Sequence, residues 1–479
     1  MAGKRRPKKM DVAYGSKHSI PVSPIGTRYG TEMTEIFGDN GYLQSILDVE
    51  AASAISISKL YPNKLKKKDA ERIKNAANIG NVTPESIRYT EEHETHHEMG
   101  AVIKELAKQS GKSGAFVHYT MTSADAIETA KALQIKRGLE ILIKSVESAR
   151  DACLSVASEW KDIPCIVRTH GQHAIPATFG LPFAFFGSCL DKNARRLSYD
   201  LNKLIEGKMS GAIGTYDVST DEGMDGFAIE REMMSHLGIK PADATMQTPG
   251  RENIAYIISD IAVLGGRIES IMGYIKTLKR TEIQELKEEQ DKGVVSSSAM
   301  PHKNLYGNPY IEERCVSIAR VLRGFSITTM ESMYSEDFRD LSASLSDRVA
   351  VSEAFVLSDY ATRLLENVVE RIEPLIENIS RNLDLNMGTV TSQRVMSRLI
   401  TKGVDRHEAR RITKEAALKT MTKKISYSDA LLNNEKISKI MSKNEVIELC
   451  NSRTYIGRSS DIIERIVHNN FGKHRKTEK

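Results

Sequence analysis

Apolar side chains recur every third or fourth position from Leu139 onward: Leu139, Leu142, Val146, Ala149, Cys153, Val156 and Trp160. Alternating steps of three and four place them on one seam of a helix. The start signal lies upstream at Thr122-Ser123-Ala124-Asp125, where a hydroxyl can cap the first turn and Asp125 meets the positive helix terminus. From there to Trp160 a helix spans roughly 55 Å. Such a seam is too long for one small domain to cover, so the pattern predicts a bundle of long helices shared between subunits.

Prolines mark out the rest, because proline breaks helix interiors. Between them the chain predicts further long helices over about 178–209, 252–290, 309–333 and 347–373. A glycine-rich link at 210–216 and a polar loop at 296–309 separate them. The first 120 residues read as a patchwork of short helices, with a turn at 26–33 leading into an amphipathic one. Beyond Pro374 the chain is proline-free and rich in Lys and Arg, which suits a small helical domain. Strand-like runs of period two are scarce. The fold class is therefore all-α: a central long-helix bundle (122–373) between smaller helical domains at the N-terminus (1–121) and C-terminus (374–479).

Composition narrows the function. The 479 residues are 27% charged and 40% hydrophobic, an ordinary soluble make-up with ample core. The net charge of +5 is modest, and much of the excess is terminal: Lys4, Arg5, Arg6, Lys8 and Lys9, then Lys473, His474, Arg475, Lys476 and Lys479. Such ends read as solvated tails, so neither nucleic acid nor membrane is expected as a partner. Cys153, Cys165, Cys189, Cys315 and Cys450 form no close pair and no metal-ligand spacing, as expected of buried thiols in a reducing compartment. No signal-peptide core appears early, and the apolar stretch Ile254–Ile275 carries Asp260, Arg267 and Glu269, which suits a buried helix. A cytoplasmic location is expected.

Two polar stretches carry candidate chemistry. Glu91 to Glu98 holds His93, His96 and His97, but without the HExxH or another metal-ligand spacing, so no metal site is expected. The loop Ser296-Ser297-Ser298-Ala299-Met300-Pro301-His302-Lys303-Asn304-Leu305-Tyr306-Gly307-Asn308-Pro309 combines hydroxyls, a proline-pinned turn, a cation and amides. It reads either as a mobile lid bearing a base and anion-binding groups, or as a polar linker between helices.

Thr122 to Asp125, Arg168-Thr169-His170-Gly171-Gln172-His173-Ala174 and the serine loop stand in an order and separation that resemble the fumarase/aspartase superfamily. Within it the chain most resembles the adenylosuccinate lyases. The pointers are Arg28-Tyr29, Gln247-Thr248, Ser298 to Lys303, Arg339-Asp340 and Ser392-Gln393-Arg394. The resemblance implies a homotetramer with active sites shared between subunits, a small nucleotide substrate and no cofactor. The implied reaction releases fumarate from adenylosuccinate, giving AMP, and from the carboxamide precursor of the same pathway. By the same resemblance His170 is the general acid, Ser298 the catalytic serine and Glu313 the carboxylate that orients His170. His97 is the second histidine. Arg28, Tyr29, His96, Thr122, Ser123, Thr169, Gln247, Lys303, Arg339, Ser344 and Arg348 match substrate-binding positions, whose cations, hydroxyls and amide suit a phosphate and two carboxylates.

Two departures stand out. Four residues separate Lys303 from Asn308-Pro309, three more than the family pattern, so either Asn304 or Asn308 could supply the amide contact. The family's Arg-His-Asp is here His96-His97-Glu98. Two other readings stay open: another fumarate-releasing lyase such as argininosuccinate lyase, or a non-catalytic helical scaffold.

Overall fold

The computed structural model describes residues 25–289, Gly293 and 297–477. Basic residues 4–9, Ser296 and Lys479 lie outside the described residues, as do the side chains of 473–476. Among the described residues six helices have at least 22 residues: α1 (Asp39–Leu60), α2 (Ser123–Glu159), α3 (Leu181–Lys203), α4 (Glu252–Leu278), α5 (Tyr310–Glu331) and α6 (Ser342–Arg371). The chain divides into two compact units, one of Met1–Ser145, Arg195–Gly265 and Arg320–Ala361, the other of Val146–Ala194, Gly266–Ala319 and Thr362–Lys479.

In the first unit α1 packs with Lys67–Ala76 and Gly226–Leu237, and Glu98–Ser110 packs on Lys67–Ala76, over a core that includes Leu47, Ile57, Ile73, Leu106 and Met233. Gly138 lets α2 approach α6. A Cβ there would stand 2.8 Å from Phe355 and 2.9 Å from Phe37, whose rings stack 5.0 Å apart. Two to three turns N-terminal on α2 lies a largely buried tetrad of charges. Lys131 reaches Glu128 (3.3 Å) and Asp347 (2.9 Å), while Arg251 reaches Glu128 (2.5 Å) and Asp347 (3.4 Å). Burial alone would raise the Glu128 carboxyl, but Lys131 and Arg251 hold it down at about 2.

The second unit covers the later part of the seam. Trp160 meets Phe179 and Phe183, with ring centroids 5.5 and 5.1 Å away, and Phe186 packs on Tyr274 at 5.4 Å. A separate C-terminal core is built from Val395, Leu399, Ile412, Tyr427, Leu431 and Leu449. Cys153, Cys165, Cys189 and Cys315 are buried and Cys450 half-buried, all as free thiols. Among the described residues no helix is long and apolar enough to cross a membrane.

The predicted seam helix runs from Ser123 to Glu159, and all seven seam residues are buried within the one chain. The seam therefore needs no second copy to cover it. Apolar side chains left open lie elsewhere: Tyr256 and Val263 on α4, Ile327 and Met330 on α5, Leu345 and Val349 on α6. Three other expectations differ. The first 120 residues include the 22-residue α1, whose polar Ser45, Glu50, Ser53 and Ser56 are buried beside apolar neighbours and blur the periodicity. Helix α4 stops at Leu278 instead of near 290, because Leu286–Glu288 pairs antiparallel with Ile372–Pro374 and buries Leu286. Residues 164–178 form a β-hairpin that the scarcity of period-two runs concealed.

Two substitutions probe this framework. Arg251→Leu leaves Glu128 and Asp347 buried with Lys131 alone, so urea unfolding at neutral pH should show a loss of about 3–5 kcal/mol. A loss below about 1 kcal/mol would mean that the tetrad is not a unit. The second site is Asp200, fully buried beside Asp260, with Arg196 as their shared cation, 3.3 Å from Asp200 and 2.6 Å from Asp260. Burial first, then the Asp260 charge, push Asp200 up to about 7. A folded-state value above the unfolded one means the native chain holds the proton more tightly, so this contribution to stability is lost as pH rises toward 7. Asp200→Asn should therefore raise the melting temperature more at about pH 8 than at about pH 5. An equal gain at both would contradict the assignment.

Candidate active site

His170 stands at the tip of the hairpin formed by β1 (Pro164–Thr169) and β2 (Gln172–Thr178). The turn is two residues long, between the paired Thr169 and Gln172, with φ of 54° at His170 and 73° at Gly171. Two consecutive positive φ values match the primed hairpin turns, which favour glycine second. A histidine in the left-handed region costs about 1–2 kcal/mol, so surrounding contacts must hold it. Those contacts lie below the tip. Arg168 makes two hydrogen bonds to Glu285, at 3.0 and 2.7 Å, and Asn382 donates to the same carboxylate at 2.8 Å. His173 Nδ1 lies 3.1 Å from Asn386 Oδ1, and Ile166 packs with Leu383 and Val390. Burial and the Arg168 charge lower the His173 pKa, favouring its neutral form. Thr169 and His170 themselves are exposed.

The serine loop belongs to the same unit. Met300 N–H donates to Ser297 Oγ at 3.0 Å, and Lys303 N–H to the Met300 carbonyl at 3.0 Å, forming a tight turn at Met300–Lys303. Ser297 is thus committed to the backbone, whereas Ser298 and the Lys303 side chain are exposed. Past them the chain is anchored. Glu288 N–H donates to the Tyr306 carbonyl at 2.9 Å, and Gly307 (φ 112°) sits where a Cβ would lie 2.8 Å from Glu288. Beneath it Lys279 is buried between Glu288 and Glu312. Burial raises the Glu312 pKa despite Lys279. Glu313, on the first turn of α5, is exposed and 3.2 Å from Lys276. That lysine donates to it, and no hydrogen bond joins Glu313 to His170 among the described residues.

The first unit holds the other predicted residues in two groups. Thr122 precedes the first residue of α2, and Asp125 accepts from its N–H at 2.8 Å. The other Asp125 oxygen accepts from Lys208, with both side chains fully buried, and from Ser210 N–H at 3.0 Å. Ser210 Oγ lies 2.7 Å from Thr245 Oγ1, two residues before Gln247, whose Oε1 accepts from Arg339 at 2.8 Å. Hydrogen bonds therefore run from Thr122 through Asp125 and Ser210 to Thr245, and a separate one joins Gln247 to Arg339.

The second group surrounds His97. A π-helix at Glu91–Thr95 ends in left-handed His96 (φ 53°), and His97 then caps Glu98–Ser110 by accepting Gly100 N–H at Nδ1, 3.0 Å. In that role the neutral ring carries its proton on Nε2. Glu98 pairs with Arg348 at 2.6 Å, and Arg348 lies 5.7 Å from the Tyr42 ring centre. Arg28 ends a four-residue helix, Tyr29 meets Tyr360 edge-on at 5.4 Å, and Ser344 is exposed on α6.

Sequence reasoning missed Lys208, Glu285, Lys276 and the Lys279–Glu288–Glu312 cluster. Their partners lie from 3 to 117 positions away, and isolated Lys and Glu carry no motif. The hairpin did leave a signal: His170-Gly171 is a two-residue turn with glycine second, following the apolar Cys165-Ile166-Val167.

Comparison with known proteins agrees over most of the chain. The family described as "Lyase" matches residues 30–324, and "Adenylosuccinate lyase C-terminus" matches residues 388–466. The adenylosuccinate lyase of Methanocaldococcus jannaschii is 32% identical over 455 residues, covering 94% of this chain and 96% of its own. That of Pyrococcus abyssi is 34% identical over 450 residues, covering 94% and 98%. That of Thermotoga maritima is 32% identical over 433 residues, covering 90% and 97%. Among solved structures, a fumarate lyase from Mesorhizobium sp. BNC1 superposes with a TM-score of 0.82 at 23% identity, covering 92% of this chain and 98% of that one. A 3-carboxy-cis,cis-muconate lactonizing enzyme from Pseudomonas putida gives 0.83 at 22% identity, covering 94% and 99%. These structural likenesses establish the fold. With the two family matches and the relatives' identity over nearly their whole length, they lead to one conclusion: this chain belongs to the adenylosuccinate lyase family of the fumarase/aspartase superfamily.

Proposed function

We propose that the protein eliminates fumarate from adenylosuccinate, giving AMP, and from the carboxamide precursor, in the cytoplasm and as a homotetramer with shared active sites. The observation that carries this reading is family membership over nearly the full chain, joined to an exposed histidine on a braced hairpin tip. In the proposed chemistry Ser298 removes the proton from the carbon beside one succinyl carboxylate. The electron pair passes into that carboxylate and then forms the double bond as the C–N bond breaks. His170 protonates the departing nitrogen, a general-acid role for which an imidazolium is suited.

A neutral serine hydroxyl is too weak a base, so Ser298 acts as its alkoxide, becoming the hydroxyl when it takes the proton; that needs water excluded and a cation beside the oxygen, a role that suits Lys303. Ser298 is favoured over Ser297 because the latter accepts a backbone N–H. Arg28, Tyr29, His96, Thr122, Ser123, Thr169, Gln247, Lys303, Arg339, Ser344, Arg348 and one of Asn304 or Asn308 bind the substrate's phosphate and carboxylates, and His97 serves beside them as the second catalytic histidine. Arg348 binds while its charge is shared with Glu98.

The direct test follows the absorbance change on adding adenylosuccinate to purified protein, with argininosuccinate in parallel. AMP and fumarate should form from the first only, and Ser298→Ala and His170→Ala should each lower kcat by at least about a hundredfold. Turnover of argininosuccinate would move the chain to a different substrate, and an inert wild type would leave a scaffold. A second variant separates positioning from chemistry. Glu285→Gln weakens the brace on Arg168, so kcat should fall about tenfold with KM little changed. A change in KM alone would place Glu285 outside the support of His170.

A further inference from the structure

Ser392-Gln393-Arg394 has no part in the proposed elimination, yet it opens a ten-residue helix, Ser392–Thr401, that forms one wall of a hollow. The hollow measures about 550 Å³ and is lined by Gln393, Arg394, Ser397, Arg398, Thr401, Leu449 and Tyr455. That volume lies in the range of small-molecule sites and exceeds what a bare ion needs.

Its lining is rich in donors. Arg394 is built in: one guanidinium nitrogen donates to Thr454 Oγ1 (3.0 Å) and to the Glu448 carbonyl (3.3 Å), and its carbon lies 5.6 Å from the Tyr455 ring centre. Both contacts use the same nitrogen, so its other N–H groups remain to be satisfied. Arg398 stands one helical turn further along on the same face. Its side chain is half exposed, and its ion pair with Glu445 is long, 3.9 Å, while Lys402 takes the other oxygen of that carboxylate at 2.9 Å. Thr401 gives its hydroxyl proton to the Arg398 carbonyl, at 2.8 Å. Ser397 and the Gln393 amide are exposed. No carboxylate lines the hollow. Two guanidiniums one turn apart, with a hydroxyl and an amide between and beside them, suit an anion with several acceptor oxygens.

We propose that this hollow is a second ligand site, separate from the fumarate-releasing chemistry, that takes a small phosphomonoester. The guanidiniums hold the phosphate, Ser397 and Gln393 complete its hydrogen bonds, and the remaining volume takes the organic body against Leu449 and Tyr455.

The test is peptide-resolved hydrogen exchange on the full-length protein with glycerol 3-phosphate, and with glycerol as control. A non-nucleotide ester keeps the reading apart from substrate binding. Exchange in peptides covering 392–401 and 449–458 should slow with the ester at or below about 10 mM, and not with glycerol. Arg398→Gln should raise half-saturation at least about tenfold, the effect of losing one charge-assisted contact, and Ser397→Asp should abolish the protection by placing a carboxylate in the hollow. Melting curves confirm that each variant is folded, and an unfolded variant leaves the other to decide. The proposal is overturned if the wild type shows no slowing in those peptides, or if a folded variant keeps wild-type half-saturation.

Discussion

Four buried charges set the geometry of the first unit. Glu128 and Lys131 on α2, Arg251 just ahead of α4 and Asp347 on α6 satisfy one another in a closed square. Buried ion pairs contribute little net stability compared with apolar side chains of the same volume. What they supply is register. Sliding any of these helices by a turn would strand a charge away from water, at a cost of several kcal/mol. The neighbouring residue, Arg348, follows Asp347 on α6 and pairs with Glu98 beside His97. The tetrad therefore also fixes the position of Arg348 against Glu98.

A second theme is how reactive groups are held without being buried. His170 occupies a strained backbone position at an exposed tip, and the energy that keeps it there comes from beneath, through Arg168, Glu285, Asn382 and Asn386. Ser298 lies in a loop whose far end is tied down by Tyr306 and Gly307 against Glu288 and Lys279. The residues that distinguish this loop from the family pattern, Asn304 to Gly307, include both anchor points. Extra length here adds an attachment rather than slack.

Much was readable from the linear chain. The α2 seam follows from alternating steps of three and four, and its start from Thr122 and Asp125, because helix periodicity and capping are local effects. The order of the three motifs pointed to the superfamily, and the matches over residues 30–324 and 388–466 bear that out. What escaped was non-local. The end of α4 at Leu278 depends on a strand partner more than eighty residues later, and the role of Asp125 depends on Lys208. No short-range pattern marks either pairing.

The sequence by itself determined where most of the long helices lie, which residue types carry the chemistry and to which superfamily they belong. Each of these is written in local periodicity, turn chemistry and motif order. Only the tertiary structure decided which charges meet: Arg168 with Glu285, Arg348 with Glu98, Glu313 with Lys276, Lys208 with Asp125. It also showed the seam buried within one chain. The physical reason is that an ion pair or a packed seam is a property of two surfaces, and a single stretch of sequence specifies only one of them.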